Sequence, residues 1–526
     1  LTRSNKTRIS IFIGQIGRRV YMLVEWQVGK LEEWQSDAII FFVLEKETEF
    51  LPGFKKWLST EGMWLSESAG LQDFQGKVQQ TAVFYAPDRR RISRVVCAGL
   101  GPADKFDLDR LRNGAATALR KCRDLQLNRV AVPLLALEGL PVERARALEE
   151  SLIGGIAGLY RFIALKTRDV EPVSYPETLL LLTEEEPEAN LRKAVTTADA
   201  LVSGINLTRD LVVAPGNQVT PTFMAEIAHG LTESYGIRMQ LINLQEAQKM
   251  GMGAFAAVAQ GSREPACIIV LEHCPSGTEG DPPIVFVGKG ITFDTGGISL
   301  KPSAKLEAMK LDMAGAAAVL GAFDVLGKMQ IERHVVGILP CTENMPDGKA
   351  YKPGDVIHSM AGLTVEVIST DAEGRMILCD ALTYALQYKP AVIVDLATLT
   401  GACIVALGNE TAAIMGNREG LVEQLRAVGM EVGERLWPLP LWDFYFDYLK
   451  SDIADFKNVG ERSAGTIVGG VFLKQFVPDE IPWVHMDIAG TAWTDKDTGI
   501  SPKGATGFGV RLLVETARRW PDIKGR

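Results

Sequence analysis

Val365-Glu366-Val367-Ile368-Ser369-Thr370-Asp371-Ala372-Glu373-Gly374-Arg375-Met376 is the most informative segment of the chain. Its first four residues form a short apolar-rich run of strand character. From Met376 to Tyr388 the pattern turns helical, with Ile377, Ala381 and Tyr384 on one side and Leu378, Leu382 and Ala385 beside them. A strand, a polar loop and an amphipathic helix in that order are one step of an α/β sheet. Between strand and helix, Asp371, Glu373 and Arg375 occupy alternate residues, which in extended backbone face the same way. Two carboxylates held so close repel and raise each other's pKa, so the arrangement makes most sense around a divalent cation. Taken alone, the pentad reads more simply as a solvated helix start, with Arg375 a surface partner.

A second cluster reverses that balance. Gly288-Lys289-Gly290-Ile291-Thr292-Phe293-Asp294-Thr295-Gly296-Gly297, continuing through Lys301 to Asp312, follows the apolar run Ile284 to Val287. Loops at the carboxyl ends of neighbouring parallel strands share one crevice, so Asp294, Asp312, Asp371 and Glu373 are expected to converge. Four carboxylates suit two divalent ions better than one.

The chain of 526 residues, 47% hydrophobic and 23% charged, is long enough for more than one domain. Strand-like runs alternate with helical stretches from Leu23 to about Leu182, the acidic Thr183-Glu184-Glu185-Glu186-Pro187-Glu188 reads as a surface break, and the alternation resumes beyond Pro215. The expected organisation is an N-terminal α/β domain over 22–188, an interdomain helix over 189–213 and a catalytic domain over 214–526. The catalytic domain is expected to be a mixed sheet flanked by helices and carrying a two-metal site. Residues 1–21, with Arg3, Lys6, Arg8, Arg18 and Arg19 and no acid, read as a disordered or misannotated extension ahead of Met22, an organelle transit segment being the competing reading.

Composition argues against several function classes. The net charge of −9 provides no basic field for nucleic acid, although Arg89 to Arg91 with Arg94 could form a local patch. The seven cysteines, at 97, 122, 267, 274, 341, 379 and 403, show no C-x-x-C spacing, which argues against a disulfide framework or zinc ribbon and fits a reducing cytoplasm. No apolar run approaches the roughly 20 residues that cross a bilayer. The five histidines show no H-E-x-x-H spacing, and no G-x-S-x-G elbow is present.

Ser369-Thr370-Asp371-Ala372-Glu373-Gly374-Arg375 resembles the signature of the leucyl aminopeptidase family, dinuclear-metal cytosolic aminopeptidases. The likeness extends to Gly288 through Asp294, to Asp395-Leu396-Ala397-Thr398-Leu399-Thr400-Gly401-Ala402 and to His485-Met486-Asp487-Ile488-Ala489-Gly490-Thr491-Ala492, all in the family's order. The resemblance implies one metal held by Asp294, Asp371 and Glu373, and another held by Lys289, Asp294, Asp312 and Glu373. Mn²⁺ or Zn²⁺ is expected, with Mg²⁺ a further candidate. It also implies Lys301 as oxyanion stabiliser, Arg375 as holder of a bicarbonate, and Met309, Thr398, Leu399 and Ala489 around the substrate's first side chain. The activity implied is release of N-terminal leucine and other residues from peptides by a cytoplasmic homohexamer. A DNA-binding role on the same fold is the alternative. The chain departs from the family pattern at Ser369, where asparagine is usual, and at Met376, where leucine is common.

Overall fold

The structure, a computed structural model, describes residues 8–13, 20–45, 50–88, 91–168 and 175–524. Its contacts divide into two units, 1–206 with 495–503, and 207–494 with 504–526. The division falls inside the helix Ala189–Val213.

In the first unit, seven strands run in the order Arg8–Ile13, Val20–Val28, Thr178–Thr183, Arg129–Pro133, Ala38–Glu45, Arg94–Pro102, Thr81–Tyr85. The five inner strands pair in parallel and the two outer ones antiparallel. Strand Ala38–Glu45 is apolar from Ala38 to Leu44, as suits a parallel strand covered on both faces. Within the segment read as an extension, Arg8–Ile13 pairs with Val20–Val28. The remainder of 1–19 lies outside the described residues, as do Arg89 and Arg90 of the basic cluster. Arg91 of that cluster pairs with Glu61 at 2.8 Å.

The second unit carries a nine-stranded mixed sheet, ordered Leu436–Pro438, Ala412–Gly416, Trp483–Asp487, Val392–Ala397, Ile284–Gly288, Val335–Asn344, Cys267–His273, Arg238–Asn243, with Gly290–Asp294 paired beside Val335–Asn344. Ile284–Gly288 lies between two parallel partners and is buried throughout, as its uninterrupted apolar sequence requires. The helix Ala314–Met329 covers this region, and its residues from Ala314 to Gly327 are all buried. Its many alanines favour the helix and let its axis lie close to the strands.

One element differs from expectation. Val365–Ile368 is not a strand of the large sheet: Thr364–Glu366 belongs to a separate three-stranded sheet with Val356–His358 and Phe456–Lys457. Nor does the backbone stay extended through Glu373, which is the first residue of the helix Glu373–Ala385. The carboxylates of Asp371 and Glu373 are brought together by a turn into that helix rather than by strand alternation.

Candidate metal centre

Lys289 leaves the central strand Ile284–Gly288 with its backbone fixed on two sides: its N–H donates to the Leu396 carbonyl, and its own carbonyl accepts from Ala316 N–H. The side chain, 3% exposed, reaches Asp312 Oδ1 at 2.8 Å, Glu373 Oε1 at 2.9 Å and the Thr398 carbonyl at 3.0 Å. Gly374 leaves room for this side chain, since a Cβ there would stand 2.6 Å from Nζ and the lysine would have to shift. Asp312 ends the turn Leu306–Leu311, just ahead of the helix Ala314–Met329. That helix start favours its negative charge. Its Oδ1 also accepts from Thr398 Oγ1 at 2.7 Å.

Asp294 ends the strand Gly290–Asp294, and its Oδ1 accepts from Gly296 N–H and from Asn344 Nδ2, each at 2.9 Å. The loop then turns through Gly296 and Gly297, both at positive φ, which glycine adopts without steric cost. This turn brings Lys301 back, with Nζ 2.8 Å from Asp294 Oδ2 and paired also with Asp371. Thr370 binds the two loops together: its hydroxyl donates to the Gly296 carbonyl and accepts from Ser299 N–H, while its own N–H donates to Ser299 Oγ.

Carboxylate oxygens of Asp294, Asp371 and Glu373 lie within 4.8 Å of one another. With Asp312, four carboxylates face two ammonium groups, which leaves two formal negative charges in a place where three of the four carboxylates are buried and Asp371 is exposed. Burial and the neighbouring Glu373 push Asp294 up to about 6. Asp312 is raised, mainly by burial. Burial would also raise Glu373, but Lys289 and Lys301 outweigh it and hold that group below its ordinary value. Burial alone would depress the Lys289 ammonium; Asp312, Glu373 and Asp294 overcome this and raise it. Each lysine thus supplies positive charge of the kind a divalent cation supplies more fully, and the donor set fits metal binding.

Lys289, Asp294, Lys301, Met309, Asp312, Asp371, Glu373, Thr398, Leu399 and Ala489 all line one cavity of about 430 Å³. Arg375 is not among the lining residues. It is buried, donates from Nη1 to the Asn458 carbonyl at 2.7 Å and lies over the Phe472 ring. Its Nε has no hydrogen-bond partner, and burial lowers its pKa to about 10 despite Glu373 and Asp487.

Residues that sequence reasoning missed hold these groups in place. Asn344 ends the strand Val335–Asn344 and bridges Asp294 to the Thr370 carbonyl. Its place at the carboxyl end of a parallel strand was the available signal. Asn458 grips the Ser369 backbone from both sides, accepting from its N–H and donating to its carbonyl. The Ser369 hydroxyl accepts from Asp371 N–H at 3.3 Å, a local turn that serine can make. Asp487 accepts from Leu399 N–H and Thr400 Oγ1, which fixes the loop that carries Thr398.

Residues 206–514 match the family described as the cytosol aminopeptidase family, catalytic domain, and residues 41–169 match its N-terminal domain. The chain belongs to the cytosol aminopeptidase family. It is 61% identical to a probable cytosol aminopeptidase of Syntrophobacter fumaroxidans, over 95% of this chain and 99% of that one. A second such protein, from Oleidesulfovibrio alaskensis, is 44% identical over 94% of this chain and 98% of its own. Among solved structures, a mutant of tomato leucine aminopeptidase superposes with a TM-score of 0.83 at 31% identity, covering 96% of this chain and 97% of that one. The bottromycin maturation enzyme BotP in complex with Mn gives 0.81 at 31% identity, covering 92% and 99%. The protein is therefore a hydrolase, a metal-dependent aminopeptidase of two α/β domains.

In this aminopeptidase, Asn344→Ala should weaken the hold on Asp294 without removing a carboxylate. If Asp294 holds a metal, the expected loss is about 10–100-fold in metal affinity or activity, the usual cost of losing an orienting partner behind a ligand. Titrating the variant with Mn²⁺ while following hydrolysis checks it.

Proposed function

We propose that this enzyme removes N-terminal leucine and similar residues from peptides at a two-metal centre. One ion would be held by Asp294, Asp371 and Glu373, and the other by Lys289, Asp294, Asp312 and Glu373, with Asp294 and Glu373 shared. The observation that carries this reading is the mutual approach of three carboxylates within 4.8 Å, with Lys289 Nζ in reach of both Asp312 and Glu373. Oxygen donors suit Mn²⁺, Mg²⁺ or Zn²⁺. Bound there, such ions would polarise the scissile carbonyl and lower the pKa of the attacking water.

The remaining work belongs to the chain. Lys289 must give up its proton to coordinate, because an ammonium has no lone pair. Lys301 keeps its charge and faces the oxygen on which negative charge develops. Arg375 has a buried guanidinium with an unpartnered Nε, which supports its assignment to a planar oxyanion such as bicarbonate. Met309, Leu399 and Ala489, beside Thr398, give the cavity an apolar wall for the first side chain. A methylene discriminates by only about 1–3 kcal/mol, so broad acceptance of residues is expected.

Hydrolysis of leucyl substrates by metal-stripped protein, with Mn²⁺, Zn²⁺ or Mg²⁺ restored singly, tests the reading. Activity should vanish on stripping and return with at least one ion; full turnover by the stripped chain would refute it. A homohexamer in the cytoplasm completes the proposal. Light scattering should give about six times the 57.3 kDa chain, and an active monomer would contradict the assembly. The DNA-binding alternative receives no support from the family matches.

A further inference from the structure

A second group of metal-ligating side chains lies outside the carboxylate cavity, at the start of the strand Val335–Asn344. That strand pairs antiparallel with Cys267–His273, with Val336 opposite Glu272 and Val335 opposite His273. Carried one step further, the register sets His334 opposite Cys274. Glu272 and Cys274, as alternate residues, point to the same side. Donor atoms of Glu272, Cys274 and His334 all lie within 4.8 Å of one another.

The hydrogen bonds of His334 show what this group requires. Nδ1 stands 3.0 Å from the Asp281 carbonyl, which can only accept, so Nδ1 bears a proton and a neutral ring presents a lone pair at Nε2. That nitrogen is 2.9 Å from Glu272 Oε1, also an acceptor. Two acceptors at this distance need something between them, either a proton carried by one of the two groups or a metal ion. An imidazole oriented through Nδ1–H on a backbone carbonyl is also how proteins aim Nε2 at a metal. Cys274 completes a mixed donor set, and its sulfur makes only a 3.8 Å contact with Thr278 Oγ1. It is the cysteine that is partly exposed, whereas the other six are buried. Arg238 also pairs with Glu272 Oε1 at 2.7 Å, but its side chain is 68% exposed. A pair with so exposed a partner is weak and can yield to a divalent ion.

We propose that Glu272, Cys274 and His334, with water in the fourth position, bind one borderline divalent cation, with Zn²⁺ the best match. Sulfur, imidazole nitrogen and a single carboxylate favour zinc, whereas the carboxylate cavity offers harder donors. Tetrahedral zinc with bonds of about 2.0–2.3 Å sets its ligand atoms roughly 3.3–3.8 Å apart, so side-chain adjustments of about an ångström suffice. On binding, the Cys274 thiol releases its proton to solvent.

Cobalt reports this site selectively, because a thiolate–cobalt bond gives a near-ultraviolet charge-transfer band and no cysteine lines the carboxylate cavity. Co²⁺ added to the metal-stripped full chain should raise that band to saturation within about three equivalents, because the two ions proposed for the carboxylate cavity take up cobalt without contributing to it, and Zn²⁺ added afterwards should abolish it. The band should be lost in Cys274→Ser and again in His334→Gln, while both variants hydrolyse leucyl substrate at the wild-type rate. Two variants keep the test decisive should one fail to fold. A wild-type chain without the band would mean that a proton fills the gap between His334 and Glu272, and a band that survives Cys274→Ser would place the cobalt on another thiolate; either result would overturn the proposal. The sulfur signature does not depend on the assignment of the carboxylate cavity, so the two readings fail separately.

Discussion

Glu373→Ala and Asp294→Ala are each expected to lower kcat by at least about 10³-fold and to empty both metal positions. Each removes a carboxylate assigned to both ions, and two-metal stabilisation of transition-state charge is worth several kcal/mol, of which about 4 kcal/mol already amounts to three factors of ten. Glu373→Ala also strips Lys289 of one of its two carboxylate partners in a buried setting, so destabilisation must be separated from lost chemistry. Glu373→Gln serves that purpose, since it keeps the shape and one oxygen. A folded Glu373→Gln enzyme with metals bound and normal turnover would remove Glu373 from the centre.

The second large effect distinguishes the two lysines, which share residue type but are assigned opposite protonation states in the working enzyme. Lys289→Arg should lose or weaken one metal together with activity, because a guanidinium does not deprotonate and cannot coordinate. Lys301→Ala should retain both metals and lose about 10²–10³ in kcat, the size of a missing oxyanion donor. The placement of the two side chains is consistent with this division: Lys289 is 3% exposed between Asp312 and Glu373, whereas Lys301 is 22% exposed at the cavity wall. Metal content measured beside the kinetics of each variant decides the matter. An empty site in Lys301→Ala with two metals and normal turnover in Lys289→Arg would reverse the assignment.

The four carboxylates that line this cavity were legible from local pattern, whereas Lys289, Lys301 and the division into ligand sets came from the resemblance to the family. Ile284 to Val287 could only be a buried strand, and the polar residues that follow it had to face a crevice. Lys289, Asp294, Lys301, Asp312, Asp371 and Glu373 do line one cavity. What local pattern could not give was the partner of each loop. Thr364–Glu366 has the β-branched, alternating look of a main-sheet strand, yet tertiary pairing places it with Phe456–Lys457 instead. The alternation read across Asp371 and Glu373 failed because a helix begins at Glu373, and the helix period replaces the strand period there. Asn458 and Asp487 act on loops about ninety residues away, through side-chain bonds to backbone that leave no trace in spacing. The Glu272, Cys274 and His334 group escaped for the same reason, since it exists only in the register between two strands.

The central claim is that these carboxylates and Lys289 hold two ions, and crystals of the enzyme grown with Mn²⁺ test it most directly through anomalous diffraction at the manganese edge. Two peaks about 3.5–4 Å apart are expected between Asp294 and Glu373, one of them beside Lys289 and Asp312. A single peak in crystals of fully active enzyme, or peaks only outside this cavity, would contradict it.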